Sequence, residues 1–170
     1  MKQLGEEVRN IHSKNGESGY VRAEESIVRK ATSKDTDGII DVLKSTKLAE
    51  ETWKGNERWV KRALQKSLGN RNHTILVAEF DSTIIGFIDC IVFPSFWECT
   101  KQGMINHLFV HAAYQSKGVG AKLVRTITER ADAEDIVEMH VSTEWENAKA
   151  RKLYGKYGFT EEHLLLERSQ

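Results

Sequence analysis

Proline is almost missing from this chain: Pro94 is the single one among 170 residues. That excludes an extended, linker-rich architecture, because stiff spacers depend on repeated prolines. Cysteine is nearly as scarce. Cys90 and Cys99 are the only two and show no Cys-x-x-Cys spacing, so a disulfide framework is not expected and a reducing, cytoplasmic setting is. Neither sign of charge is in excess, since 25 Lys and Arg balance 25 Asp and Glu. Neutralising phosphates takes a surplus of cations, so the composition speaks against a nucleic-acid partner. It speaks equally against a polybasic membrane anchor or an acidic tail. Long apolar runs are lacking too. The longest, Thr83 to Pro94, is interrupted by Asp89 and falls far short of the ~20 residues that a bilayer span needs. Residues 1–26 are polar and carry both charges, without the apolar segment of a secretory signal.

What is present is the alternation of a single mixed domain. Residues 1–26 read as a polar extension and 27–170 as the domain. A short strand is expected over Ile27–Thr32. Thr32, Ser33 and Asp35 supply helix-start chemistry, and Ile39, Ile40, Leu43 and Leu48 give one helical face through Glu51. Trp59, Val60, Ala63, Leu64 and Leu68 predict a second helix after Gly55, ending at Gly69-Asn70. The pattern then turns β. Thr74–Phe80 and Thr83–Phe93 flank an Asp81-Ser82 turn and predict an antiparallel hairpin closed by Pro94. Ser95–Gly103 reads as a loop and Met104–Val110 as a strand. Gly118–Ala131 reads as an amphipathic helix, Ile136–Ser142 as a strand, and Asn147–Tyr157 as a helix ending at Gly158. Phe159 to Glu167 is expected to form a last strand. The order β-α-α-β-β-β-α-β-α-β implies an α/β fold with a mixed sheet and helices on its faces.

The strongest chemical signal is Gln115-Ser116-Lys117-Gly118-Val119-Gly120-Ala121, which joins a strand directly to a helix. A helix N-terminus leaves its first N–H groups without intrahelical partners and carries partial positive charge. Glycines there let a backbone approach an anion closely, so a phosphate or pyrophosphate is the fitting ligand, with Lys117 and Lys122 adding charge. A tight turn is the plain alternative for two glycines taken alone. There is no Gly-x-x-x-x-Gly-Lys-Ser/Thr loop, and the third glycine of a dinucleotide fold is missing, since Leu123 stands there.

Two segments together make the pattern specific. Gln115 to Gly120, after the apolar strand Leu108-Phe109-Val110, resembles the glycine loop of the GNAT superfamily of N-acetyltransferases. Asn147-Ala148-Lys149-Ala150-Arg151-Lys152-Leu153-Tyr154, followed by Gly158-Phe159, resembles that family's second signature. The element order agrees from about Ile27 to Glu167. The resemblance implies a mostly antiparallel central sheet flanked by helices, and an acetyl-CoA site without a metal. The backbone of Ser116, Lys117, Gly118, Val119, Gly120 and Ala121 would cradle the pyrophosphate. Leu108, Phe109 and Val110 would pair with the pantetheine arm, and Asn147 would contact the cofactor from the other side. The reaction would be direct acetyl transfer to an amine of a small molecule or peptide. A homodimer is compatible with the family. A different acyl-CoA donor, or an acyl-CoA-binding module without catalysis, are the competing readings.

Direct transfer needs a proton acceptor and a proton donor. An amine with a reference pKa of about 10.4 costs roughly 4 to 5 kcal/mol to deprotonate at pH 7. The departing thiolate benefits from a donor such as a phenol, protonated up to a pKa of about 10. Tyr154 falls on the family's tyrosine and is the expected donor, although the apolar face Ala150, Leu153, Tyr154, Tyr157 also reads as helix core. The acceptor stays open. Many family members carry a glutamate where this chain has Asn106. His107 is adjacent, but strict strand alternation would turn it to the other face. Asp89, Glu79 and Glu98 are further carboxylates, and a water chain is another route. His107 and His111 lie too far apart along a strand, roughly 13 Å, to share a metal ion. Cys90 reads as inert core and Cys99 as a loop thiol with no activating pattern. Trp53, Trp59 and Trp97, with Glu50, Glu51 and Glu57, sit where the family often borders its acceptor site. Core packing and a solvated helix face are the plainer readings for them.

Overall fold

The computed structural model describes residues 25–46, 52–53 and 55–168. In chain order it contains β1 (Ile27–Lys30), a 3-10 turn (Ser33–Asp35), α1 (Thr36–Lys44), α2 (Glu57–Leu68), β2 (His73–Phe80), β3 (Thr83–Ser95), β4 (Thr100–Val110), a second 3-10 turn (Ala112–Tyr114), α3 (Val119–Ala133), β5 (Ile136–Val141) and α4 (Ala148–Gly155). The strands form one sheet in the order β1-β2-β3-β4-β5. The first four pair antiparallel, and β5 joins β4 in parallel. This is the mixed, mostly antiparallel sheet with flanking helices that the sequence implies.

Each face of the sheet carries its own core. On one face, Leu76, Ile85, Ile88, Cys90 and Ile105 pack against Val119, Leu123, Val124 and Ile127 of α3 and Tyr154 of α4. On the other, Ile75, Val77, Ile84 and Phe87 pack against Ile39 and Val42 of α1, with Leu64 and Leu68 of α2 at the margin. A sheet covered on both faces buries near-continuous apolar runs, as β2 and β3 do. The entry to α1 is fixed by charge as well as by packing. Thr32 and Asp35 form a capping box, and Arg29 bridges the Asp35 and Glu79 carboxylates at 2.7 and 2.6 Å.

Two irregularities in the ladders bear on the site. Between β2 and β3 the register shifts at Ala78/Glu79. Between β3 and β4, Asp89 pairs with His107 but Cys90 pairs with Ile105. Asn106 is therefore an extra residue on β4, a β-bulge, and bulges locally disturb alternation and re-aim side chains.

The structure corrects several expectations. β3 does not close at Pro94 but runs to Ser95, and the loop expected over Ser95–Gly103 shrinks, because β4 starts at Thr100 rather than Met104. The reason lies at the sheet edge. Val92 N–H donates to Asn72 on the β2 side, so the nitrogen of Pro94 faces that same side, past the end of β2. A proline there removes no ladder hydrogen bond. The last strand does not form among the described residues. Residues 159–168 have no regular structure, and Leu164, Leu165 and Leu166 stand 85%, 67% and 82% exposed. An apolar run alone does not make a strand without a partner edge aligned to receive it. α1 ends at Lys44. Leu48, Glu50 and Glu51 lie outside the described residues, as do 1–24 of the expected extension.

Candidate active site

The site begins where a ladder stops. β4 pairs with β5 from Lys101↔Ile136 to Ile105↔Val141, and no further. Beyond Ile105, the edge of β4 that faced β5 carries Leu108, Phe109 and Val110 without a neighbouring strand among the described residues. Backbone N–H and C=O groups on such an edge are a template for an extended ligand.

The glycine loop closes the end of this gap. Gln115 turns back on the strand, its side-chain amide donating to the Val110 carbonyl at 3.2 Å. Ser116 takes φ +62° and Gly118 φ +85°, a left-handed backbone that favours glycine at the second position. Gly118 is the N-cap of α3, so the N–H groups of Val119, Gly120 and Ala121 belong to the turn that a helix leaves unpartnered. A Cβ built on Gly120 would sit 3.7 Å from both Leu153 and Val110 and 3.9 Å from Leu108. Those are ordinary contacts. Packing within the protein therefore does not require glycine at 120, whereas backbone geometry does at 118.

The other wall is the start of α4. Asn147 caps it, accepting from the Ala150 N–H at 3.0 Å. Lys149 crosses to the glycine loop and donates to Ser116 Oγ at 3.0 Å. Lys117 lies over the Tyr114 ring, 5.3 Å from its centre. Lys122 departs from expectation, donating instead to the Ser26 carbonyl near β1. The cationic face of the loop is thus built from Lys117 and Lys149. Tyr154 is buried in the core beneath the gap, its ring edge-on to Phe159 at 5.6 Å. Burial pushes its hydroxyl up to about 12, so it holds its proton throughout the physiological range.

A model of the acetyltransferase (GNAT) family matches residues 39–159, a span that holds the glycine loop, the open edge of β4 and α4. The chain belongs to the GNAT acetyltransferase family. It is 30% identical over 131 residues to an uncharacterized N-acetyltransferase of Archaeoglobus fulgidus, covering 75% of this chain and 88% of that one. Its fold is shared with a structure described as a transcriptional regulator from Bacillus halodurans, with TM-score 0.75, 21% identity, and coverage of 85% of this chain and 99% of that one. It is also shared with an aminoglycoside acetyltransferase from a soil metagenome in complex with sisomicin, with TM-score 0.70, 17% identity, and coverage of 86% and 96%.

The structure also sorts the side chains expected to move protons. Glu79 is held by Arg29, away from the gap. Glu98 lies at the exposed β3–β4 turn, where Gln102 donates to it at 2.6 Å. Asp89 and His107 come together. Asp89 is 3% exposed. Its Oδ1 lies 2.8 Å from His107 Nδ1 and its Oδ2 lies 2.5 Å from His73 Nε2. Burial would raise the Asp89 pKa, but the hydrogen bonds from His107 and His73 outweigh it, and the carboxyl is held below its usual range. Asn106 Nδ2 also reaches Asp89, at 3.5 Å. The alternation argument against His107 therefore fails. The bulge at Asn106 lets two consecutive residues reach one carboxylate.

His73 was not among the expected site residues. Its signal was available only through the hairpin register: Ile75 pairs with Asp89, which puts His73 diagonally beside it on the same face. Lys149, a member of the second motif with no role expected of it, joins the site through its bond to Ser116. Cys90 is buried and its thiol is pushed up to about 12, mainly by burial, which leaves it no nucleophilic part. Cys99 and Trp97 sit at the exposed β3–β4 turn, and Trp59 is 70% exposed on α2. Among the described residues no helix is long and apolar enough to cross a membrane, and no group of three or more His, Cys, Asp or Glu could hold a metal ion.

Proposed function

We propose that this protein is an N-acetyltransferase that moves an acetyl group from acetyl-CoA directly to a primary amine of a small molecule or peptide. The observation that carries the reading is the early end of the β4–β5 ladder at Ile105↔Val141, beside the glycine-capped start of α3. The open edge at Leu108, Phe109 and Val110 suits the amide-bearing pantetheine arm, which can pair with it as a short added strand. The amides of Ser116 to Ala121 suit the pyrophosphate, with Lys117 and Lys149 beside them. The fit at Gly120 supports this, because the protein does not itself need a glycine there and a ligand approaching the backbone does. Asn147 and α4 form the opposite wall.

Acetyl-CoA supplies the acetyl thioester. The chain's part is to hold that group in the gap, receive a proton from the amine, and return one to sulfur. Tyr154 gives its hydroxyl proton to the departing sulfur, a role supported by its place under the gap and by a pKa that keeps it protonated. Calorimetric titration of acetyl-CoA tests the reading, with Gly120→Asp as the control. Saturable binding that the added carboxylate abolishes, followed by amine-dependent release of free CoA, is the expected result. Binding with no turnover on any amine would favour a non-catalytic module, and preferential release from another thioester would favour a different acyl donor.

A further inference from the structure

The two groups best suited to move protons lie on opposite faces of the sheet. Tyr154 belongs to the core under α3 and α4. His107 faces the α1 and α2 side, with Asp89 opposite it in the ladder and the Phe109 ring 6.2 Å away. Past Ile105↔Val141 the sheet is open between β4 and β5, so a group lodged in that gap can be reached from both sides.

His107 differs from an ordinary surface histidine in how it is held. Its Nδ1 faces the buried, ionised Asp89 carboxylate at 2.8 Å. A carboxylate only accepts, so Nδ1 must carry the hydrogen. In the neutral ring, Nε2 is then left with the lone pair. The His107 side chain is 59% exposed while the Asp89 side chain is 4% exposed. His73 occupies the second carboxylate oxygen and keeps Asp89 from swinging away.

We propose that His107 is the proton acceptor for the amine, with Asp89 and His73 as positioning residues that fix its ring with Nε2 outward. The assignment rests on the acetyl-transfer reading above. Nε2 takes one proton from the ammonium and passes it to solvent. The neutral nitrogen then forms the N–C bond to the acetyl carbon as the C–S bond breaks. The second proton lost by nitrogen balances the one that sulfur receives from Tyr154. The sum is R-NH3+ plus acetyl-CoA going to the N-acetyl amine, CoA thiol and one proton.

The charge environment agrees. The hydrogen bond to Asp89 raises the His107 pKa, against an opposing effect of burial, and among the described residues Asp89 is the charged group that moves it. On the helices over this face Lys44 pairs with Glu57 and Lys61 with Asp37, while Asp41 of α1 and Arg58, Arg62 and Lys66 of α2 are not among the causes of the His107 shift. His73 reaches His107 only through Asp89. A raised pKa narrows the uphill transfer from an amine, and it places the acid limb of the rate profile above the free imidazole value of about 6.5.

The test has two independent readouts. Long-range proton–nitrogen NMR of the wild-type imidazoles, with His107→Gln for assignment, should show neutral His107 protonated at Nδ1. A proton on Nε2 instead would overturn the proposal whatever the activity. In kinetics, H107Q should bind acetyl-CoA and melt like wild type but lose about 100-fold in kcat. That deficit should shrink as pH nears the pKa of the amine. Asp89→Asn should move the acid limb to lower pH. An H107Q protein as active as an active wild type overturns this assignment alone. A wild type that releases no CoA with any amine overturns the acetyl-transfer reading and this assignment with it.

Discussion

Lys149, in the first turn of α4, donates to the hydroxyl of Ser116, thirty-three positions earlier in the glycine loop, at 3.0 Å. This one contact ties two motifs that are remote in sequence across the mouth of the gap. The lysine is exposed, so the bond itself adds little stability. Beside a bound pyrophosphate its charge would count for more. Lys149→Met is therefore expected to leave the melting temperature within about 1 °C and to weaken acetyl-CoA binding roughly 3- to 10-fold, an effect that should fade with added salt. Equal affinities at low salt would remove Lys149 from the site.

The two glycines of the loop should respond in opposite ways. Gly118 sits at φ +85°, and an alanine there costs about 1 kcal/mol or more, equivalent to roughly 2 to 4 °C in a chain of this size. Gly120 has room for a methyl group at ordinary contact distance. Gly120→Ala should melt like wild type yet bind acetyl-CoA at least about 10-fold more weakly, because the methyl group holds the anion away from the helix amides. Melting curves and titration calorimetry on the pair separate the two roles.

Tyr154→Phe removes one hydroxyl from a buried ring and keeps the edge-on contact with Phe159. Its hydroxyl forms no hydrogen bond with another described residue, so stability should change by less than about 1 kcal/mol. Turnover should fall on the order of 100-fold with little change in the acetyl-CoA dissociation constant. Unchanged turnover in single-turnover kinetics would take Tyr154 out of the mechanism.

Acid sensitivity should trace to the network at the start of α1. The hydrogen bond from Arg29, against the opposing effect of burial and with help from Thr32, lowers the Asp35 pKa from 3.8 to about 2. A depressed carboxyl contributes stability above its unfolded pKa and loses it as pH falls through the folded one. The contribution, about 2 kcal/mol, is thus fully present above roughly pH 5 and lost by about pH 1. Denaturant melts of wild type and Asp35→Asn should differ at pH 7, with the gap shrinking below about pH 5 and closing only below pH 2, by about pH 1. A constant difference across that range would mean that Asp35 acts through packing and not charge.

Local chemistry made much of this legible before any coordinates. The left-handed position at Gly118 could be read from a strand running into an amphipathic helix. The Asn147 cap and the Asp81-Ser82 turn follow from residue types whose side chains or backbone preferences act within three or four positions. The errors share a cause as well. Pro94, the start of β4 and the expected strand after Phe159 all depended on whether a second strand lay alongside, and pairing is not a local property.

By itself, then, the sequence determined the local elements, the glycine-capped helix start and the order that folds them into this mixed sheet, because each rests on contacts between near neighbours or on a simple apolar period. Only the tertiary structure decided where the β4–β5 ladder stops, that the Asn106 bulge brings His107 to Asp89, and that His73 joins them. Those depend on register between strands, where a one-residue offset re-aims a side chain, and no spacing within a single segment records it.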